Sequence, residues 1–446
     1  MRVRVGMSLG SGVLALCSAC VINPAFDQAD ASTSGDASTA ASTEGAATTI
    51  TTSSTSDPAS SDGSDGAAIC GNGIVEGDEP CDDGDDEDGD GCNVGCVPSG
   101  AQLWELRHDG GNAGWDATHD LAVLADDTVV LAGITTVEGL QAELAHVDRD
   151  GVELWSHRHS VPDAIDSDAW GAARLNDGSI VAGTGDNDVM FVRALDPDGV
   201  ELWTYEGPGR VYDASSDGSS EIWIAGRHAE GPAAFWHLDA GGTLIAIHDE
   251  ASGSLPTDSV VWGIATGANG RIAGAGELNT DVRAWVRELY AGSGGVAWET
   301  DVIALGADSD AGYGVTIAVG GAMAMVGDLV FGEERHGWLL RRATDGEMLP
   351  PIEQEELGNY HGVAIGPTGE IAVSGWVDNG LGKIALVVKY APDGTLAWRH
   401  EITGDVVVGE NKAWTVGIRS DAVVVAAGEL VEEATMLDRW VVAFAP

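Results

Sequence analysis

The chain has 446 residues, of which 72 are Asp or Glu and only 21 are Lys or Arg, and its formal net charge is −51 at pH 7. Nucleic acids and anionic lipid headgroups are bound through clustered cations, so this balance argues against both as partners. The chain contains 63 glycines and 15 tryptophans, a composition that favours an all-β protein.

The first nineteen residues have the pattern of an export signal. Two arginines are followed by a short apolar run and by small residues before Cys20. This segment resembles a bacterial lipobox, with Ala19 at the small position. The resemblance implies a signal peptide over 1–19, a lipid on Cys20 and anchoring to the membrane through that lipid. Val21 follows in place of Asp, which in such lipoproteins implies the outer membrane. The alternative is a signal that is cleaved without lipidation.

Residues 20–67 consist mainly of Ser, Thr, Ala, Asp and Gly and show no apolar periodicity. Such a segment buries too little apolar surface to offset its chain entropy. We expect a disordered tether that separates the lipid from the folded domains.

Residues 68–98 contain four cysteines, which are Cys70, Cys81, Cys92 and Cys96. In an exported chain they predict two disulfides rather than a zinc site, and their spacing leaves all three pairings open. The motifs Cys70–Gly73, Cys81–Gly84 and Asp88–Cys92 resemble the short cysteine-rich repeat of myxobacterial surface proteins. That resemblance implies a location at the cell surface and no particular chemistry.

A carboxylate pattern inside this module suggests a calcium ligand set. Asp86, Asp88 and Asp90 are spaced two apart and precede a glycine, as at the start of an EF-hand loop. Val97 stands where the closing Glu of that loop would be, which excludes a complete EF-hand. The remaining interpretations are a looser Ca²⁺ site and an acidic loop held by disulfides.

From residue 99 to residue 446 the chain is self-similar, with a unit of about 49 residues that contains four short apolar runs separated by Gly-rich turns. One glycine recurs at the end of the second run: Gly133, Gly183, Gly226, Gly276, Gly327, Gly375 and Gly428. An aromatic or imidazole side chain recurs in the first run: His119, Trp170, Tyr212, Trp262, Tyr313, His361 and Trp414. Four antiparallel strands per unit predict the blade of a β-propeller.

A tryptophan recurs in the fourth run, at Trp155, Trp203, Trp298 and Trp398, while Ala246 and Pro350 replace it in two units. The unit resembles bacterial β-propeller repeats whose third and fourth strands read "LdpdGtllW". It is also similar to quinoprotein-type repeats, and that similarity implies that the tryptophan docks between blades.

The two ends of the repeat region complete one blade. The chain stops at Val441–Pro446, which matches Val387–Pro392, so the seventh unit lacks its fourth strand. Residues 98–104 have the spacing of the missing piece. We therefore predict that residues 101–108 pair with the C-terminal strand, closing a seven-bladed propeller that needs no partner chain.

The seven recurring aromatic and imidazole residues are the main candidate ligand-binding set. They either line one mouth of the central channel and stack on sugars, or pack between blades. His157 and His159 alternate on one strand and form either a metal pair or two exposed polar side chains. The sequence contains no recognisable nucleophile, phosphate-loop or metalloprotease motif.

These features favour a non-catalytic binding or adhesion protein of the cell envelope, with a glycan or an envelope protein as its ligand. One alternative is a scaffold for outer-membrane assembly. Another is a polysaccharide-active enzyme, which would require paired carboxylates near the channel mouth.

Overall fold

The computed structural model describes residues 69–446 apart from short gaps at 111–113, 138, 160–166, 187–188, 217–220, 229–230, 250–251, 257–258, 268–269, 279–282, 291–293, 302–306, 407–408 and 433–435. The predicted signal peptide, Cys20 and the tether lie outside the described residues. Within the described part of the chain, no helix has the length and apolar character needed to cross a membrane.

Seven sheets form the blades of a propeller, each built on four antiparallel strands, and the sheet of the last blade has a short fifth strand. Blade 1 contains β5 (Ala117–Val123), β6 (Val129–Thr136), β7 (Leu140–Val147) and β8 (Glu153–His159). Blade 2 contains β9 (Asp168–Arg174), β10 (Ile180–Asp186), β11 (Val189–Leu195) and β12 (Glu201–Pro208). Blade 3 contains β13 (Arg210–Ser216), β14 (Ile222–Arg227), β15 (Ala233–Leu238) and β16 (Leu244–Asp249). Blade 4 contains β17 (Ser259–Gly267), β18 (Arg271–Leu278), β19 (Arg283–Tyr290) and β20 (Val296–Asp301).

The remaining blades follow the same order until the last one. Blade 5 contains β21 (Ser309–Ile317), β22 (Met323–Phe331), β23 (Glu334–Arg342) and β24 (Met348–Glu353). Blade 6 contains β25 (Gly358–Ile365), β26 (Ile371–Asp378), β27 (Lys383–Tyr390) and β28 (Leu396–Ile402). Blade 7 contains β29 (Lys412–Ile418), β30 (Val424–Glu432), β31 (Met436–Phe444) and, from the start of the domain, β3 (Gln102–His108).

The first strand of each blade is the innermost. Each inner strand contacts the inner strands of both neighbouring blades, and β29 contacts β5, so the seven strands form a closed ring. Alternating apolar side chains fill the space between adjacent sheets, as in the buried cluster that joins Val192 and Met190 of blade 2 to Ile224 and Trp236 of blade 3.

The predicted closure is confirmed. Strand β3 pairs antiparallel with β31, from Gln102 opposite Phe444 to His108 opposite Arg439. The Ala445 N–H donates to the Ala101 carbonyl at 2.8 Å, which extends the pairing to the predicted first residue. Strand β4 (Gly114–Trp115) adds a short parallel pairing to β31. The ring is therefore closed by strands from both ends of the propeller sequence.

Every inner strand carries a β-bulge at the recurring aromatic or imidazole residue, which the pairing register skips. The bulge pushes a backbone carbonyl toward the recurring glycine of the second strand. In blade 1, for example, a Cβ on Gly133 would overlap the Ala117 carbonyl oxygen. The same overlap occurs in blades 3 to 7, while in blade 2 the obstacle is the Val211 side chain. The two recurring positions thus form one structural unit: the bulge turns the side chain and the glycine makes room for it.

The cysteine-rich module packs beside the closing strand. It contains the hairpin β1 (Cys92–Asn93) and β2 (Val97–Pro98) and the disulfides Cys70–Cys96 and Cys81–Cys92, which select one of the three possible pairings. The Asn93 amide donates to the carbonyl oxygen of the C-terminal Pro446 at 3.4 Å. The module therefore contacts both chain segments that complete blade 7.

Candidate functional site

Ring contacts join the bulge residues of several neighbouring blades. His119 stacks on Trp170 with ring centroids 3.7 Å apart, and Trp414 makes edge-on contacts to His119 and His361. Further ring contacts join Tyr212 to Trp262 and Tyr313 to His361. These contacts cross blade boundaries, so the ring side chains join neighbouring blades.

Most of the ring has little exposed surface. His119, Trp262, Tyr313 and Trp414 are buried, while Trp170, Tyr212 and His361 are partly exposed. Burial lowers the pKa of His119 to about 3, and burial and nearby cations also lower the pKa of His361, so both imidazoles are neutral at physiological pH. The arrangement serves inter-blade packing directly and leaves three side chains partly accessible to a ligand.

Two carboxyl groups meet between the inner strands. Asp120 and Asp213 each follow a bulge residue, and their side chains hydrogen-bond to each other. Both residues are partly exposed to solvent, but the surrounding strands shield their carboxyl groups from water. Desolvation raises the pKa of Asp120 to about 7 and, together with the Asp120 charge, raises the pKa of Asp213 well above its usual range. The pair therefore shares a proton near neutral pH.

This carboxyl pair is also held by the backbone. Asp120 accepts hydrogen bonds from the N–H groups of Leu121 (2.8 Å) and Ala172 (2.7 Å). Asp213 accepts them from Ala214 (2.7 Å) and Ile264 (2.7 Å). Each carboxyl thus bridges its own inner strand to that of the next blade, and the pair joins blades 1 to 4.

A second group of buried acids lies between blades 4 and 5. Desolvation and the Asp328 charge raise the pKa of Glu277 to about 7, and desolvation raises that of Asp328 to about 6. The Tyr313 hydroxyl donates to Asp328 at 3.3 Å, and Arg335 pairs with the same carboxylate at 2.5 Å. Asp328 thus holds the hydroxyl group of the bulge residue Tyr313.

The cysteine-rich module brings Asp90 together with Asp83 and Asp85, their nearest ligand atoms lying within 4.8 Å of one another. Desolvation and the charges of Asp85 and Asp83 raise the pKa of Asp90. Asp88, one of the predicted calcium ligands, accepts a hydrogen bond from the Val94 N–H at 2.9 Å. This triad shares only Asp90 with the predicted set of Asp86, Asp88 and Asp90.

The two alternating histidines have separate environments. The Trp155 and His157 rings lie 5.0 Å apart, and His157 packs against the Gly199 turn of the next blade. Burial and the Arg193 charge lower the pKa of His159 to about 4. Both side chains are part of the contacts between blades 1 and 2.

The fourth-strand tryptophan docks on the next blade. The indole N–H of Trp155 donates to the Pro197 carbonyl at 2.9 Å, and that of Trp203 donates to Ala240 at 2.9 Å. In the closing strand, Trp104 makes the equivalent bond to Arg149 at 2.8 Å. The glycine that ends each contacted turn lets the indole lie flat, since a Cβ on Gly151 would lie 2.7 Å from the Trp104 ring.

The junction of blades 4 and 5 has a different geometry. The Arg342 guanidinium carbon lies 4.8 Å from the Trp298 ring centroid, and the Gly346 turn faces this guanidinium. A groove of about 310 Å³ opens there. It is lined by Arg271, Glu288, Tyr290, Ala297, Trp298, Arg342, Thr344, Asp345 and Gly346. Tyr290 on its rim is 58% exposed.

The groove was not predicted from the sequence, although the repeat contained its signal. Arg342 lies near the end of a third strand, before the turn to the fourth, where the other blades have Val147, Leu195, Leu238, Leu289, Tyr390 and Phe444. The carboxyl pair had a similar signal, because the residue after the bulge is glycine in four blades and Asp only in blades 1 and 3.

The architecture defines the chain as a seven-bladed β-propeller. No family model matches it, and no curated protein matches it. Among solved structures it is similar to one titled hydrazine synthase from Kuenenia stuttgartiensis, with a TM-score of 0.53 and 12% identity over 70% of this chain and 92% of that chain. It is also similar to a structure titled as the Dos1 propeller, with a TM-score of 0.49 and 9% identity over 77% and 94%. At such identities the similarity concerns the fold alone.

Proposed function

We propose that the protein is a lipid-anchored protein of the cell envelope that presents its propeller as a non-catalytic platform for ligand binding. The predicted export signal over residues 1–19, the Cys20 that follows it and the Ser/Thr-rich tether support the anchored location. The rigid closed ring supports the role of platform, because binding residues on a stiff scaffold lose little entropy when a ligand binds.

The groove at the junction of blades 4 and 5 carries the proposal. Its volume is at the lower end of the range for small-molecule sites. It places the aromatic faces of Tyr290 and Trp298 beside arginine, carboxylate and hydroxyl groups. Aromatic surface combined with a few polar groups is the usual composition of a ligand site.

The geometry of the acidic pair favours binding over glycoside hydrolysis. The two carboxyls of a retaining glycosidase stand about 5 Å apart, and those of an inverting enzyme stand farther apart. Asp120 and Asp213 are hydrogen-bonded to each other and to backbone N–H groups. This arrangement leaves no space between them for a glycosidic bond.

The test is a glycan-array screen of the full-length protein in detergent micelles, with and without Ca²⁺, followed by pull-down from cell envelopes. Saturable binding that weakens in Tyr290→Ala supports the platform and its groove. If binding weakens only in Trp170→Ala, the site belongs to the central ring instead. Turnover of a bound polysaccharide, or the absence of any glycan or envelope ligand, contradicts the proposal.

A further inference from the structure

The groove exists because one side chain interrupts the repeat. The position of Arg342 is filled in the other blades by apolar or aromatic side chains that are at most 6% exposed. The Arg342 side chain is 17% exposed, and its guanidinium emerges beside Trp298. A buried Leu at this position would restore an ordinary blade junction, so the fold itself does not require the arginine.

The buried wall of the groove organises the guanidinium. Glu288 is 4% exposed and forms a two-point ion pair with Arg271. The same carboxylate accepts the Arg342 Nη1–H at 3.2 Å. Among the described residues, the Arg342 Nη2 group has no hydrogen-bond acceptor, and the Nε group is buried. Glu288 thus fixes the orientation of a guanidinium that retains unused donors.

The groove also offers acceptors. The Asp345 Oδ1 atom accepts the Glu347 N–H at 3.0 Å, and its second carboxylate oxygen receives no hydrogen bond from the described residues. Thr344 also lines the groove. The groove therefore contains both donors and acceptors, as recognition of adjacent hydroxyl groups requires.

The charges of the lining select against an ionic ligand. Two arginines, Arg271 and Arg342, are balanced by two carboxylates, Glu288 and Asp345. The chain as a whole has a net charge of −51, which repels anions at long range. An anion would gain no net positive charge in the groove, and a cation would lie beside two arginines.

From these observations we infer that the groove binds a neutral saccharide, one hexopyranose unit of a glycan, and that Arg342 determines this specificity. The sugar C–H face stacks on the exposed ring of Tyr290, because aromatic faces favour contact with polarised C–H groups, while the Trp298 ring holds the Arg342 guanidinium. Arg342 and Asp345 donate to and accept from neighbouring hydroxyls. The inference rests on the proposed function and names the ligand class of the same site.

The experiment measures binding of the full-length protein to neutral gluco-, galacto- and manno-oligosaccharides and to their uronic-acid and sulfated counterparts. We expect saturable binding to at least one neutral series and none to its acidic counterparts. Arg342→Leu, which introduces the residue of blades 2, 3 and 4, should weaken binding at least about tenfold. Its melting temperature should equal or exceed that of the wild type. The matched control is Arg399→Leu, which alters a partly exposed, ion-paired arginine of blade 6.

The outcomes separate this inference from the broader proposal. Preferential binding of acidic glycans, or neutral-glycan binding that survives both Arg342→Leu and Tyr290→Ala, overturns the neutral-sugar groove and leaves the platform standing. Binding of an envelope protein without any glycan binding does the same. The absence of every ligand overturns both.

Discussion

The carbonyl oxygen of Ala117 occupies the space into which a side chain on Gly133 would extend. The bulge at His119 places the carbonyl there, and the same geometry recurs around the ring. In the sequence, Gly133 looks like a glycine that permits a turn. In the structure, glycine is required at this position because the sheet leaves no space for a side chain.

We expect Gly133→Ala to lower the free energy of unfolding by about 3 kcal/mol, because the bulge must shift to admit a methyl group. Chemical denaturation monitored by circular dichroism measures the loss. The matched control is Gly185→Ala on β10, where the nearest atom to an added Cβ lies 3.9 Å away. Equal stability of the two variants would contradict this account of the repeat.

The buried acids make stability depend on pH. Folding raises the pKa of Glu277 from its ordinary value of 4.5 to about 7. The folded state therefore holds the proton more tightly, and this group stabilises the protein fully below pH 4.5. The stabilisation declines as the pH rises to 7, by up to about 3 kcal/mol. Glu277→Gln should flatten this part of the profile of melting temperature against pH.

A surface substitution, Glu334→Gln, serves as the control for that profile, since Glu334 is exposed. A Glu277→Gln profile that parallels the wild type from pH 4.5 to 7 would show that this carboxyl does not titrate in the range described.

Deleting residues 99–108 should lower the melting temperature by at least about 10 °C. The deletion removes β3 and leaves the edge of β31 unpaired. It also removes the hydrogen bond from the Trp104 indole to the Arg149 carbonyl. Scanning calorimetry provides the measurement. Deletion of residues 30–60, within the predicted tether, should leave the transition unchanged, and a similar loss in both variants would exclude a specific role for closure.

Cys20→Ala should move the protein from the membrane fraction to the soluble fraction, because the proposed lipid is attached at this residue. Fractionation and metabolic labelling with a palmitate analogue measure the two consequences. Cys17→Ala should leave both unchanged. Persistent labelling of Cys20→Ala would refute attachment there.

The regular features of the fold could be predicted from the sequence because each blade repeats them. The recurring glycine and aromatic positions located the strands, and the truncated seventh unit at Val441–Pro446 indicated closure. The bulge could not be predicted, since a skipped residue leaves no mark in a pattern of apolar runs. The disulfide pairing was equally undetermined, because cysteine spacing does not specify which sulfur atoms meet.

The candidate site was harder to predict because it depends on departures from the repeat. A comparison of the repeat units finds the residues that they share. Arg342 is instead a residue that differs from its apolar or aromatic equivalents in the other units, so this comparison passes over it. Asp120 and Asp213 meet across an intervening blade, a contact that no periodicity within one unit encodes. The predicted aromatic and imidazole residues do lie on the inner strands, yet His119, Trp262, Tyr313 and Trp414 are buried there.

Closure by strands from both ends also imposes an order of assembly. Strand β3 is synthesised before the six complete blades, while its partner β31 is synthesised after them, with Gln102 opposite Phe444. Pairs so distant in sequence form slowly and late. Until β31 is available, the chain carries two unpaired strand edges, so the period before ring closure is when this protein is most exposed to aggregation and proteolysis.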